Sequence, residues 1–249
     1  MAALPCRGTA PCPYDCGAKG LVMVHLMFLM KRKPGLSRQE CQRHWRGIHA
    51  PLAQRIPGIR RYVQSHVFSA QEEEPPYDGV AEIWVDDESA ATAIFQTKEY
   101  REGAYLDEPN FVDVKQVVRL RTEDHAMLAG APIGKDERLI KRISFLKRKP
   151  DLDREDFFRY WREVHGPMAL KLPGLRRYVQ CHALPAMYAS GDPPFDGAAQ
   201  IWFPDLAAMQ RTFESKEYVE EARPDGSKFT APAGSVTLIA EENRVVWPE

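Results

Sequence analysis

The residue types best suited to proton transfer in this chain are a few histidines, one carboxylate inside an apolar segment and a tyrosine close by. Over residues 60–68, Tyr62, Gln64 and His66 fall at every second position. In a strand they share one face, with Arg61, Val63, Ser65 and Val67 on the other. Over residues 80–85, Val80, Glu82 and Trp84 alternate with Ala81, Ile83 and Val85. An imidazole of pKa about 6.5 gives or takes a proton at working pH, and a carboxylate beside it fixes its tautomer or serves as a second acid. His66, Glu82 and Tyr62 are therefore the first catalytic candidates, with Gln64 and Trp84 as substrate-binding neighbours. His49 joins them from a helix, four residues after Trp45 and two before Pro51. One reading makes it an acid or base at the mouth of a pocket. The other has it bonding carbonyls that the proline leaves unpaired.

The same residues return further along. Residues 31–66 and 147–182, offset by 116, are identical at 20 of 36 positions. The match resumes at an offset of 118, where Tyr77, Asp78, Gly79 and Trp84 answer to Phe195, Asp196, Gly197 and Trp202. The second copy supplies His165, Tyr178, His182, Gln200 and Trp202 as substrate-binding candidates, and the two aspartates Asp78 and Asp196 are either ligand contacts or ordinary turn formers. Glu82 answers to Gln200, a side chain of equal size that cannot take a proton. The expectation is that only the first copy works as a catalyst.

Each copy must fold to position these groups. Residues 21–30 are an apolar, β-rich run that ends at Pro34-Gly35. Ser37, with Glu40 three residues on, forms a capping box for a helix whose stripe is Cys41, Trp45, Ile48 and Leu52. Strands follow over 60–68 and 80–85, then a helix from Asp86 or Asp87 to about Arg101, then a strand over 114–122. The order β-α-β-β-α-β is the ferredoxin-like split unit. One such unit leaves a bare sheet face that needs a partner. The second copy provides it, so the fold expected is α+β, two ferredoxin-like repeats closing an intramolecular eight-stranded barrel. The organisation is a leader over 1–20, a repeat over 21–125, a linker over 126–137 and a repeat over 138–249. Tyr62, Gln64, His66, Glu82 and Trp84 are expected to line the barrel interior.

With 34 basic and 35 acidic residues, the chain has no global field to attract nucleic acid or an anionic membrane. No apolar run approaches the roughly twenty residues of a spanning helix, and the first twenty residues lack the apolar core of a secretory signal. A cytoplasmic protein is expected. Its cysteines, at 6, 12, 16, 41 and 181, are too few and too scattered for a disulfide framework or a zinc site, so no metal is expected. Local basic patches, at 31–33, 147–149, 60–61 and 176–177, could steer an anionic substrate or simply be solvated strand ends. A homodimer, should one form, would use the outer helices.

The KRKPGLS stretch, the Trp45-x-x-x-His49-x-Pro51 spacing, PGIRRYVQSH, YDGVAEIW and their second-copy partners resemble the EthD domain, seen twice. That resemblance implies a dimeric α+β barrel fold, a small apolar pocket and acid-base chemistry without a bound coenzyme. Taken with the residues, it suggests a cofactor-independent lyase, dehydratase or isomerase acting on a small hydrophobic, oxygenated or aromatic molecule. A cofactor-free monooxygenase and a non-enzymatic binding protein of a degradative or biosynthetic pathway are the alternatives.

Overall fold

The computed structural model describes residues 23–68 and 74–248. The leader, with Cys6, Cys12 and Cys16, lies outside the described residues. Eight strands form the frame: β1 Val24–Met30, β2 Arg61–Val67, β3 Gly79–Val85, β4 Val118–Leu128, β5 Ile140–Arg148, β6 Arg177–Ala183, β7 Gly197–Phe203 and β8 Thr230–Val246. They close in the order β1-β3-β2-β8-β5-β7-β6-β4, antiparallel at every seam. The repeats interlock at β2 with β8 and at β4 with β6, so neither sheet is left with an edge. This is the expected barrel.

Among the described residues six longer helices cover the outside, α1 over 38–53, α2 over 88–96, α3 over 100–111, α4 over 154–169, α5 Leu206–Glu214 and α6 over 217–229, with two short 3-10 turns at Val114–Gln116 and Pro185–Tyr188. The capping box at Ser37 is present, with Glu40 returning the bond to the Ser37 backbone. Each of α1 and α4 contains one π-turn, at Trp45–His49 and at Trp161–His165. Such a turn shifts the phase of the helix. It moves Ile48 out to 53% exposure, although it lay on the expected core stripe, and turns His49 inward.

The expected single helix from 86 to 101 is broken at Thr97, whose extended backbone ends α2 and whose hydroxyl accepts from the Tyr100 amide to start α3. α3 then runs on to Phe111, which displaces β4 from the expected 114–122 to Val118–Leu128. The connection from β4 to β5 is residues 129–139, and arginines pin it: Arg177 and Arg176 donate to the carbonyls of Ala129, Ala131 and Pro132, and Arg244 to those of Gly134 and Glu137.

The repeated Asp-Gly before β3 and β7 has a packing reason beyond its turn. A Cβ at Gly79 would fall 2.5 Å from the Trp45 ring, and one at Gly197 2.8 Å from the Trp161 ring. The glycines let each helical tryptophan lie flat on the sheet, where both are fully buried. Among the described residues no helix is long and apolar enough to cross a membrane.

Candidate active site

Strand register decides which side chains meet. β3 lies as expected, with Val80, Glu82 and Trp84 inward. β2 does not: Glu82 pairs with Val63 and Trp84 with Arg61, while Tyr62 and Gln64 pair with Ile83 and Ala81 on the outer face. Tyr62, Gln64 and His66 therefore face the helices, and the expected meeting of His66 with Glu82 in the barrel does not occur. In the second repeat Tyr178, Gln180 and His182 are likewise outward, whereas Gln200 and Trp202 point in.

The outward set is a lock between sheet and helix. Trp45 Nε1 and Gln64 Nε2 both donate to the Tyr62 hydroxyl, at 3.1 and 3.0 Å, and Gln64 Nε2 also donates to the Trp45 carbonyl. His66 Nε2 lies 3.1 Å from Gln64 Oε1 under the Trp45 ring. Burial pushes His66 down to about 3, so it stays neutral. Trp161, Tyr178, Gln180 and His182 repeat every one of these bonds, and burial pushes His182 down to about 2. The occurrence of the lock in both repeats fits a role in holding the helices on the sheet.

Buried side chains pack together inside the barrel, and its centre is ionic. Glu82 accepts from Ser65 and Gln200 and receives Lys141 Nζ at 2.7 and 2.9 Å. Lys141 also meets Glu242 at 3.1 Å, and Glu242 meets Arg244 at 2.7 Å. On the other side His25 Nε2 lies 3.5 Å from Glu82, its Nδ1 donates to Asp124 at 2.9 Å, and its ring stacks on Trp84. Glu82 and Gln200, equivalent in the two repeats, thus touch across the barrel. A second carboxylate there would put two like charges in contact, so the amide is explained by packing. Burial opposes ionisation of Glu82, but Lys141 and then His25 outweigh it and hold its pKa at about 2. For His25, Asp124 and Glu82 overcome burial and raise the pKa.

His25, Asp124 and Cys181 bring donor atoms within 4.8 Å of one another, close enough for a metal ion to bridge. Asp124, however, already accepts from His25 and from Trp84 Nε1, and burial raises the Cys181 thiol well above its usual range. The trio reads as hydrogen bonding.

Space for a ligand lies elsewhere, between β-sheet and helices of the first repeat. A cavity of about 290 Å³ is walled by Leu26, Phe28, Trp45, Tyr62, Ile83, Phe95, Tyr100 and Phe111, with His49, Glu108, Arg119 and Arg121 as its ionisable lining. His49 Nδ1 lies 3.1 Å from Asp107 Oδ2. A carboxylate only accepts, so the neutral ring carries its proton on Nδ1 and keeps a lone pair on Nε2. Burial lowers the His49 pKa against the pull of Asp107. Glu108 accepts from the Tyr100 hydroxyl at 3.1 Å, and burial raises its pKa. Burial thus favours the unprotonated form of His49 and the protonated form of Glu108, the division of roles that acid-base sites show.

Of the sequence candidates, then, His49, Tyr62 and the wall residue Trp45 reach this cavity. The expectation that His49 bonds the carbonyls freed by Pro51 gives way to its bond with Asp107. His165 pairs with Asp225 in the same way at 2.9 Å. Asp78 and Asp196 do more than form turns: they accept from Arg32 and Arg38, and from Arg148, and tie the strand ends together. Arg32, Arg148, Arg60 and Arg176, four of the residues in the basic patches, are held in these and similar pairs. Sequence reasoning missed Asp107, Glu108, Tyr100 and Arg119. Asp107 was visible in the repeat, since it answers to Asp225 at the offset of 118.

The fold and cavity place the protein among the dimeric α+β barrels. More narrowly, the chain belongs to the EthD domain family, which matches residues 33–115 and 149–233. It is similar in fold to an anthrone oxidase-like protein, with a TM-score of 0.63 and 10% identity over 91% of this chain and 94% of that one. A candidate monooxygenase from Fusobacterium nucleatum subsp. nucleatum gives 0.57 and 8% over 90% and 93%. A candidate chlorite dismutase gives 0.53 and 14% over 90% and 96%. No curated protein matches the chain.

Proposed function

We propose that the chain is a cofactor-independent enzyme that moves a proton on a small, flat, oxygenated or aromatic molecule held in the first-repeat cavity. The observation that carries this reading is His49: Asp107 holds one ring nitrogen, and the ring lines an aromatic cavity. His49 Nε2 takes a proton from a carbon or hydroxyl of the substrate, and Asp107 steadies the imidazolium that forms. Glu108, whose pKa burial raises, is placed to give a proton to a departing hydroxyl, which leaves as water. Tyr62 contributes too, because its oxygen already accepts twice and its own hydrogen is left to donate. This gives a dehydratase or lyase step, or an isomerase step when the proton returns at another carbon.

A second reading shares the first step. The carbanion made by His49 could pass its electrons to dioxygen, as the names of the anthrone oxidase-like and monooxygenase relatives suggest. A third, ligand binding without turnover, predicts tight binding and no exchange. The test is deuterium exchange into anthrone, a flat carbon acid, without oxygen. We expect catalysed exchange that falls by about 10²-fold or more in His49→Gln. Exchange that survives this change contradicts the proposal, and oxygen uptake on admitting air separates the first two readings.

A further inference from the structure

The two repeats share the aromatic frame around the cavity. Phe95 and Tyr100 meet edge to face at 5.0 Å in the first, and Phe213 and Tyr218 meet in the same way at 4.8 Å in the second. Tyr62 and Tyr178, Trp45 and Trp161, His49 and His165 also correspond, with the same bonds. The strands beneath differ. Leu26 on β1, a wall of the cavity, pairs with Ile83, and Arg142 on β5 pairs with the equivalent Ile201. The Arg142 guanidinium lies 4.5 Å over the Phe213 ring, and its Nη2 reaches Thr237 Oγ1 at 3.5 Å. Phe213 and Thr237 answer to Phe95 and Arg119, both of which line the open cavity.

We propose that the second repeat holds a latent counterpart of the cavity, occupied by the flat guanidinium of its own Arg142 where the first repeat has room for a flat ligand. Planar groups stack well on aromatic faces, and a guanidinium does so as readily as a ring. With that side chain shortened, the second site presents Phe213, Tyr218 and Ile201 over the hydroxyls of Ser144 and Thr237, 3.1 Å apart at its floor. Its ligand is an uncharged planar arene. Arg142 is the plug, and Leu26 is the residue that leaves the first site open. The inference uses the shape of the first-repeat cavity and does not depend on the chemistry proposed for it.

The test is binding stoichiometry for 2-naphthol by titration calorimetry on the full chain. Wild type should take one molecule, Arg142→Ala two, Leu26→Arg none, and the double variant one. A folded Arg142→Ala chain that gains no site overturns the proposal, as does a Leu26→Arg chain that keeps its site. If either variant fails to fold, the other still decides. Should wild type bind no 2-naphthol, the ligand class proposed above fails, while the plug is judged by whether Arg142→Ala rises from none to one.

Discussion

Lys141→Met should destabilise the chain by about 3–5 kcal/mol, the usual cost of removing one partner from a buried ion pair. Lys141 is fully buried and sits about 3 Å from carboxylates on two other strands, Glu82 and Glu242. At that distance each contact carries a gross attraction of about 5 kcal/mol for an effective dielectric of about 20. Arg244 still holds Glu242 in the variant, and Ser65, Gln200 and His25 still face Glu82, so only part of the gross attraction is lost. The melting temperature should fall by about 6–20 °C, given about 2–4 °C per kcal/mol for a chain of this size. Urea denaturation and calorimetry measure both. The deficit must also depend on pH. The Glu82 pKa is about 2 when folded against 4.5 unpaired, so its contribution is present above pH 4.5 and lost as pH falls towards 2. Without Lys141 that contribution shrinks, so wild type and variant should converge over this range. A deficit below about 1 kcal/mol, or one that ignores pH between 4.5 and 2, would refute the view that the barrel centre is an ion-paired core.

Other expectations follow from the same geometry. The His25 pKa is raised above 6.5 by Asp124 and Glu82 despite burial, so its stabilisation is full below pH 6.5 and fades as pH rises through the folded value; His25→Gln should flatten this limb in pH-dependent melting. Glu82→Gln should cost stability and leave turnover within a few-fold, whereas an active-site acid would cost about 10²–10⁴. His49→Gln should lower turnover by about 10²–10⁴ with little change in melting, His165→Gln should spare it, and the wild-type rate should fall on the acid side as His49, whose pKa lies below 6.5, takes up its proton. Trp161→Ala should cost about 3–5 kcal/mol without loss of ligand binding, while Trp45→Ala should cost as much and also lose the cavity wall, as paired denaturation and binding curves will tell.

The repeat, the barrel and the capping box at Ser37 were legible because identity at a fixed offset and hydrophobic period are properties of the chain itself. The phase of β2 was not. All seven of its residues are buried, so both faces are covered and neither reads as the polar one. An ionic barrel centre made the choice harder still, because His25, Glu82 and Lys141 come from three strands in two repeats and no local spacing joins them. His49 was found by its place between Trp45 and Pro51, but its partner Asp107 is 58 residues away. The π-turn that brings His49 inward, and the break at Thr97 that lets α3 begin, depend on helix geometry that a 3.6-residue period does not foresee. The divergence of Glu82 from Gln200 was visible in the sequence, and only contact across the barrel assigns it to packing. The divergence of Leu26 from Arg142 was just as visible and carries the asymmetry between the two sites.

The central claim is that the ligand site lies between sheet and helices of the first repeat and not inside the barrel. The crystal structure of the full chain soaked with 4-bromophenol tests it most directly, because the anomalous signal of bromine reports position without bias. The account predicts one strong peak among Phe95, Phe111 and Tyr62, with the phenol oxygen within hydrogen-bond reach of His49 Nε2 or the Tyr62 hydroxyl. Bromine inside the barrel beside Glu82 and Trp84, or only on the outer helices, would contradict it.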